Sequence, residues 1–153
     1  MRIGSISEDK TIEKRIAITP EVAKKYISFG FEVFLSKNYG YHLGIHDNIY
    51  SELGVNIAED NKKLIDNSDL LLQLNLFSGE NISFLKENQS LIGIFDPYNN
   101  KEKIESLSKQ SINVFSLEML PRITRAQSMD VLSSQANLAG YKSVVDSFPI
   151  FEK

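Results

Sequence analysis

The chain contains no cysteine. Disulfide scaffolds, thiolate zinc sites and cysteine nucleophiles are excluded together. Only two histidines are present, His42 and His46. Their spacing would place both on one face of a helix, but Gly40 and Gly44 flank the stretch and favour a loop. No HExxH pattern occurs, and no metal site is expected.

Long apolar runs are also missing. The longest, Leu70-Leu71-Leu72 and Leu91 to Phe95, fall far short of the roughly 18 residues of a membrane helix. The stretch from Met1 to Lys10 turns acidic at Glu8 and Asp9 before any apolar region develops, unlike a signal peptide. A cytoplasmic location is expected. Basic clusters are absent too: 17 Lys and Arg face 20 Asp and Glu, for a net charge of −3. No basic run exceeds two residues, so a nucleic-acid partner is disfavoured.

The eight glycines stand at positions 4, 30, 40, 44, 54, 79, 93 and 140. No two are separated by a single residue, so G-x-G-x-x-G is absent, as is G-x-x-x-x-G-K-[ST]. This chain lacks a glycine-rich phosphate cradle of its own. If it handles a dinucleotide, another domain must hold the pyrophosphate.

What the chain does have is core material. Its 153 residues are 42% hydrophobic and include six tyrosines and nine phenylalanines. That suits one folded domain rather than a disordered segment. Short apolar segments alternate with amphipathic ones. Strands are expected at 2–7, 31–35, 69–75, 90–95 and 112–115, with a minor one at 55–58. Helices are expected at 20–29, from a cap at Asp47 to Gly54, at 62–67, 83–87 and 101–110, and over a long stretch at 126–146. Thr19-Pro20-Glu21 is a helix start: a capping hydroxyl, a proline at the first position and an acid at the positive dipole end. The alternation predicts an α/β fold, Rossmann-like or flavodoxin-like, with a mainly parallel sheet and helices on both faces.

The long C-terminal helix is the most informative segment. As one continuous helix it would carry Asp130, Ser134, Asn137 and Tyr141 on one side, with Ser133 at the margin. Met129, Leu132, Ala136 and Ala139 would lie on the other. A solvated face usually carries Lys and Glu; this one offers hydroxyl, amide and carboxylate groups suited to a polar, planar ligand. A packed interdomain helix with satisfied polar contacts is the alternative. Arg122 and Arg125 precede it and suit phosphate or carboxylate binding, or pairing with Asp130. Lys14 and Arg15 make a second small cationic site after the first strand. Asp96, with Glu8 and Asp9, faintly echoes a phosphoacceptor site, but the strand order is wrong for one.

Two segments carry a family resemblance. Glu13-Lys14-Arg15-Ile16-Ala17-Ile18-Thr19-Pro20-Glu21 resembles the N-terminal motif shared by alanine dehydrogenases and the alpha subunit of proton-translocating NAD(P) transhydrogenase. Residues 118–142, from Glu118-Met119-Leu120-Pro121-Arg122 through Gln127 and Asp130 to Tyr141-Lys142, resemble the transhydrogenase branch more specifically.

The resemblance implies the first of two Rossmann-like domains. Residues 1–145 would form it, and 146–153 would begin the connection to a missing NAD-binding Rossmann domain. It implies NAD in a cleft shared by the two domains, with NADP on a partner component. Hydride transfer between them would be coupled to proton translocation by membrane components, the chain alone being inactive. A homodimer, peripheral to the inner membrane through partner subunits, is implied as well.

The resemblance assigns the nicotinamide-side loop to Arg122, Gln127, Asp130 and Ser133. Arg122 and Asp130 would pair to fix the loop. Gln127 would approach the reacting part of the ring, and Asp130 and Ser133 would hold its carboxamide. Gln127 and Asp130 are thus the catalytic candidates, acting by alignment. The alanine dehydrogenase branch uses a lysine on the strand that here reads Leu72-Gln73-Leu74-Asn75, and a histidine near Phe95-Asp96. Neither is present, which argues against chemistry on an amino or keto acid. Arg15 matches that branch's carboxylate-binding arginine. Besides the transhydrogenase reading stand two others: an alanine-dehydrogenase-like oxidoreductase domain, and a non-catalytic dimerisation or partner-binding remnant.

Overall fold

Six parallel strands form one sheet in the order β3-β2-β1-β4-β5-β6. They are β1 (Arg2–Ser5), β2 (Glu32–Ser36), β3 (Asn56–Ala58), β4 (Leu70–Leu72), β5 (Ser90–Gly93) and β6 (Asn113–Ser116). The computed structural model describes residues 1–77 and 79–151. By internal packing the chain divides into two units, Met1–Ser116 and Leu117–Lys153. The sheet lies wholly in the first.

That strand order is the doubly wound arrangement, in which the chain runs outward from β1 in one direction and then returns to continue from β4 in the other. Parallel strands buried on both sides carry apolar residues in both phases of the alternation. Here β4 reads Leu70-Leu71-Leu72, and its successive side chains go to opposite layers. Ile3, Val33 and Leu35 pack with Ile18, Ala23, Tyr39 and Tyr50 on one face. Leu71 and Leu91 pack with Leu64, Ile65, Phe95 and Leu107 on the other. The first layer is covered by α1 (Pro20–Ser28) and α2 (Asp47–Glu52), the second by α3 (Asn61–Asp66) and α4 (Lys101–Lys109). Gly4 is required on β1, because a Cβ there would collide with Ser68 Oγ and the Leu64 side chain of α3.

Local chemistry sets most boundaries. Thr19 caps α1, its hydroxyl accepting the Val22 N–H, with Pro20 as the first helical residue. Asp60 caps α3 through the Lys62 N–H. Two expectations shift. The cap of α2 is His46, not Asp47, because the Asp47 carboxylate instead accepts the Asn38 N–H at 2.9 Å. The helix expected at 83–87 is a 3-10 turn at Gly79–Phe84; Gly79 has a positive φ of 60°.

The second unit contains 3-10 turns at Leu117–Met119 and Thr124–Met129, then α5 (Val131–Ser147). The expected continuous helix at 126–146 is therefore broken. Asp130, at φ −75° and ψ 91°, leaves the helical region and caps α5 from outside. Met129 belongs to the preceding turn and Asp130 to the cap, so the two sides expected to begin with them start only within α5. None of the described α5 residues is buried, so Leu132, Leu138, Tyr141, Val144 and Val145 are all exposed.

Candidate functional site

The second unit holds a cavity of about 320 Å³ whose lining includes Arg122, Gln127 and Asp130. Leu117, Leu120, Pro121, Ile123 and Leu132 supply its apolar walls, and Glu118 and Thr124 add polar groups. Two segments build it: the loop through Pro121, and the 3-10 turn that ends where Asp130 caps α5. The turn brings Gln127 and Asp130 to the same cavity because Asp130 N–H bonds back to the Gln127 carbonyl at 3.4 Å.

Asp130 is the pivot. Its Oδ1 accepts the Ser133 N–H at 3.0 Å and its Oδ2 accepts the Ser133 hydroxyl at 2.7 Å. These bonds stabilise the carboxylate and hold its pKa below the usual range, the Ser133 hydroxyl first, with the charge of Arg122 adding to the effect. Among the described residues no Arg122–Asp130 contact comes within 4 Å. In place of the expected direct pair, the Arg122 charge acts on Asp130 at longer range. Ser133 reaches the site through Asp130 rather than by lining the cavity. Sequence reasoning missed Glu118 and Thr124; both lie inside the motif at 118–142, but their types alone gave no signal.

The other candidates are dispersed. Arg15 is bound to Glu13, Nε to Oε1 at 2.9 Å and Nη2 to Oε2 at 2.6 Å. The guanidinium holds the Glu13 carboxyl below its ordinary pKa. His42 Nε2 lies 2.7 Å from the Lys14 carbonyl oxygen, and His46 meets Tyr41 edge to face. Among the described residues no group of three or more His, Cys, Asp or Glu is placed to hold a metal ion.

In the first unit, sheets of this order bind ligands at the strand carboxyl ends where the winding reverses, here between β1 and β4. A cavity of about 380 Å³ lies there. The turn after β1 has no glycine and presents Ser7, Glu8 and Asp9. It does not lead directly into α1, whose N-terminus lies fifteen residues beyond the strand and is capped by Thr19. A pyrophosphate would meet the Glu8 carboxylate instead of free amides. The doubly wound sheet is therefore present without its dinucleotide cradle.

Buried polar contacts account for Gln73. It is 4% exposed; its Oε1 accepts the Ile6 N–H at 2.8 Å and its Nε2 donates to the Ile6 carbonyl at 3.3 Å. The side chain fills the space between β1 and β4. The motif at 13–21 also has a structural meaning. Tyr39 Oη accepts the N–H groups of Ala17 and Ile18 at 3.0 and 3.2 Å, while Tyr50 donates its O–H to the Ile18 carbonyl.

Comparison with known proteins agrees with this architecture. Residues 4–139 match the family model described as alanine dehydrogenase/PNT, N-terminal domain. The chain belongs to that family. Within it, the transhydrogenase side is the nearer. The chain is 32% identical over 147 residues to NAD(P) transhydrogenase subunit alpha of Haemophilus influenzae, covering 96% of this chain and 28% of that protein. Identity to alanine dehydrogenase 1 of Staphylococcus aureus is 24% over 145 residues, covering 95% and 38%. A crystal structure of transhydrogenase from Sinorhizobium meliloti superposes with a TM-score of 0.90 at 35% identity, covering all of this chain and 46% of that one. The chain thus spans less than half the length of these relatives. Among the described residues no helix is long and apolar enough to cross a membrane.

Proposed function

We propose that this chain supplies the nicotinamide side of a hydride-transfer site in a transhydrogenase alpha subunit. The observation that carries the reading is the cavity at 117–132. It is built from the very segment that resembles the transhydrogenase branch, and Arg122, Gln127 and Asp130 converge on it.

The donor set suits the group. A carboxamide needs an acceptor for its NH₂ and a donor for its oxygen. Asp130, an ionised acceptor, and Gln127, which offers both, meet that need beside apolar walls suited to a ring. The volume is near the lower end for ligand sites, about 300–1,000 Å³. It suits one ring system rather than a whole dinucleotide. The absence of a glycine-rich fingerprint in the sequence supports NAD in a cleft completed by a Rossmann domain; NADP is assigned to a partner component.

The bound dinucleotide supplies or accepts the hydride. Gln127 is assigned to the reacting edge of the ring and Asp130 to the carboxamide, with Ser133 fixing the Asp130 carboxylate. The Ser133 bonds, and to a lesser degree the Arg122 charge, favour the ionised form of that carboxylate. Nothing here needs to act as nucleophile or base; alignment is the contribution. The domain assignment is residues 1–145 as the first domain and 146–153 as the start of the connection. The exposed apolar residues of α5 support protein partners, a second copy and further subunits among them. Through membrane subunits the assembly would couple transfer to proton translocation, this chain remaining peripheral in the cytoplasm and inactive alone.

The test is NADH titration of this chain alone, then with a transhydrogenase-type NAD-binding domain added. Binding only in the mixture is expected. No binding in either case would replace this reading with that of a packing or dimerisation module.

A further inference from the structure

The loop leaving β4 contains a set of hydrogen-bond donors that point at one place. The Leu74 N–H and Asn75 N–H lie 2.7 and 3.3 Å from Glu8 Oε1, and Gln73 Nε2 lies 3.1 Å from the same atom. Asn75 Nδ2 lies 3.2 Å from Glu8 Oε2. Two consecutive backbone amides and two side-chain amides thus surround one carboxylate. Successive N–H groups arranged in this way form a concavity that binds anions.

The location adds to the meaning of the geometry. The donors sit at the carboxyl end of β4, at the reversal of strand order where doubly wound sheets take their ligands. Glu8 comes from the turn after β1, on the other side of that reversal. Next to it lies the cavity of about 380 Å³, and Ser7 Oγ on its wall is buried with no hydrogen-bond partner among the described residues. The other two carboxylates of the lining are engaged elsewhere. Asp9 accepts the Thr11 N–H and hydroxyl, and Asp96 accepts Asn99 Nδ2. Glu8 alone fills the cradle.

We propose that the amides of residues 73–75 form a carboxylate-binding cradle, and that Glu8 occupies it as a built-in ligand, closing the crevice to external anions. The cradle recognises a small carboxylate by shape and charge; the chain provides its own. This is independent of the nicotinamide-side reading, which concerns the second unit.

The experiment is chemical rescue by acetate. Glu8→Ala removes the resident carboxylate from four donors, of which Gln73 Nε2 keeps the Ile6 carbonyl while the Leu74 N–H, the Asn75 N–H and Asn75 Nδ2 lose their acceptor. Its Tm is expected to fall by roughly 5–10 °C. Acetate up to about 0.2 M should recover at least half of that loss saturably, as a ligand of the folded state does. Sodium chloride at the same ionic strength should not, and the unaltered protein should show no acetate effect beyond that of chloride. A folded Glu8→Ala variant that responds equally to acetate and chloride overturns the proposal, as does an unchanged Tm. If Glu8→Ala does not fold, Glu8→Gln is read by amide exchange. The Leu74 and Asn75 N–H groups should exchange at least about tenfold faster than in the unaltered protein, and equal exchange overturns the proposal.

Discussion

The Tyr39 hydroxyl lies 2.7 Å from Ser5 Oγ and joins β1 to the segment that leads into α1. Ser5 in turn donates to the Leu72 carbonyl at 2.6 Å, so the Tyr39 O–H donates to Ser5. Both residues are almost wholly buried. Desolvation pushes the Tyr39 phenol above its ordinary pKa, so it stays neutral and keeps its proton for Ser5.

Tyr39→Phe removes the acceptor of two backbone N–H groups and the donor to Ser5 in one step. The cost is expected at about 1–3 kcal/mol, the penalty for orphaned buried polar groups. Tyr50→Phe orphans a single buried group, the Ile18 carbonyl, and should cost less, about 1 kcal/mol. Urea unfolding of both variants checks the ranking; equal losses would show that the Tyr39 network has no weight beyond a single bond.

Asp130 carries a pH signature. Its folded-state pKa lies below the unfolded value of about 3.9, chiefly through the Ser133 hydroxyl. The capping contribution is therefore complete above about pH 5 and is lost as pH falls through the unfolded and then the lower folded-state value. A carboxyl carbon titration by NMR should place the Asp130 midpoint below the ordinary carboxylate range. In Ser133→Ala the midpoint should move up toward it. Identical midpoints in the two proteins would remove Ser133 from its positioning role.

Gln127→Asn shortens the side chain that faces the cavity without altering its chemistry. In a complete assembly it should slow hydride transfer far more than it weakens NADH binding, because a shift in alignment acts on the transition state. Stopped-flow transfer rates and NADH titration on the same preparation separate the two. Proportionate losses in both would recast Gln127 as a binding residue.

Regular features of the fold were legible and irregular ones were not. Thr19-Pro20-Glu21 carries the α1 start within three residues, and the apolar strands announce themselves by composition. The sequence predicts too early a start for α5, because Thr124 to Met129 contains nothing that breaks a helix. The decisive signal is the side-chain competition of Asp130 for the Ser133 N–H, visible as an Asp three residues before a Ser but easily read as helix interior. Among the candidate site residues, Arg122, Asp130 and Ser133 stand out by residue type in the sequence, whereas Gln127 is assigned only by the resemblance of the motif at 118–142, which also covers Glu118 and Thr124. The Glu8, Gln73 and Asn75 network had no local signal at all. Its partners lie 65 to 67 residues apart, and no spacing rule connects residues that only the sheet order brings together.

The place of β1 at the centre of the sheet has a consequence for synthesis. It precedes the other five strands in the chain, yet it pairs on one side with β2 and on the other with β4, whose residues lie some seventy positions later. During translation at about 5–20 residues per second, an early β1-β2 pair waits several seconds with its β1 edge open, its β2 edge being covered earlier by β3. The cost of closing such long loops falls before the sheet rewards it. Folding of the first unit is thus expected to be slow and vulnerable to chaperone capture until the segment around Leu71 has emerged from the ribosome.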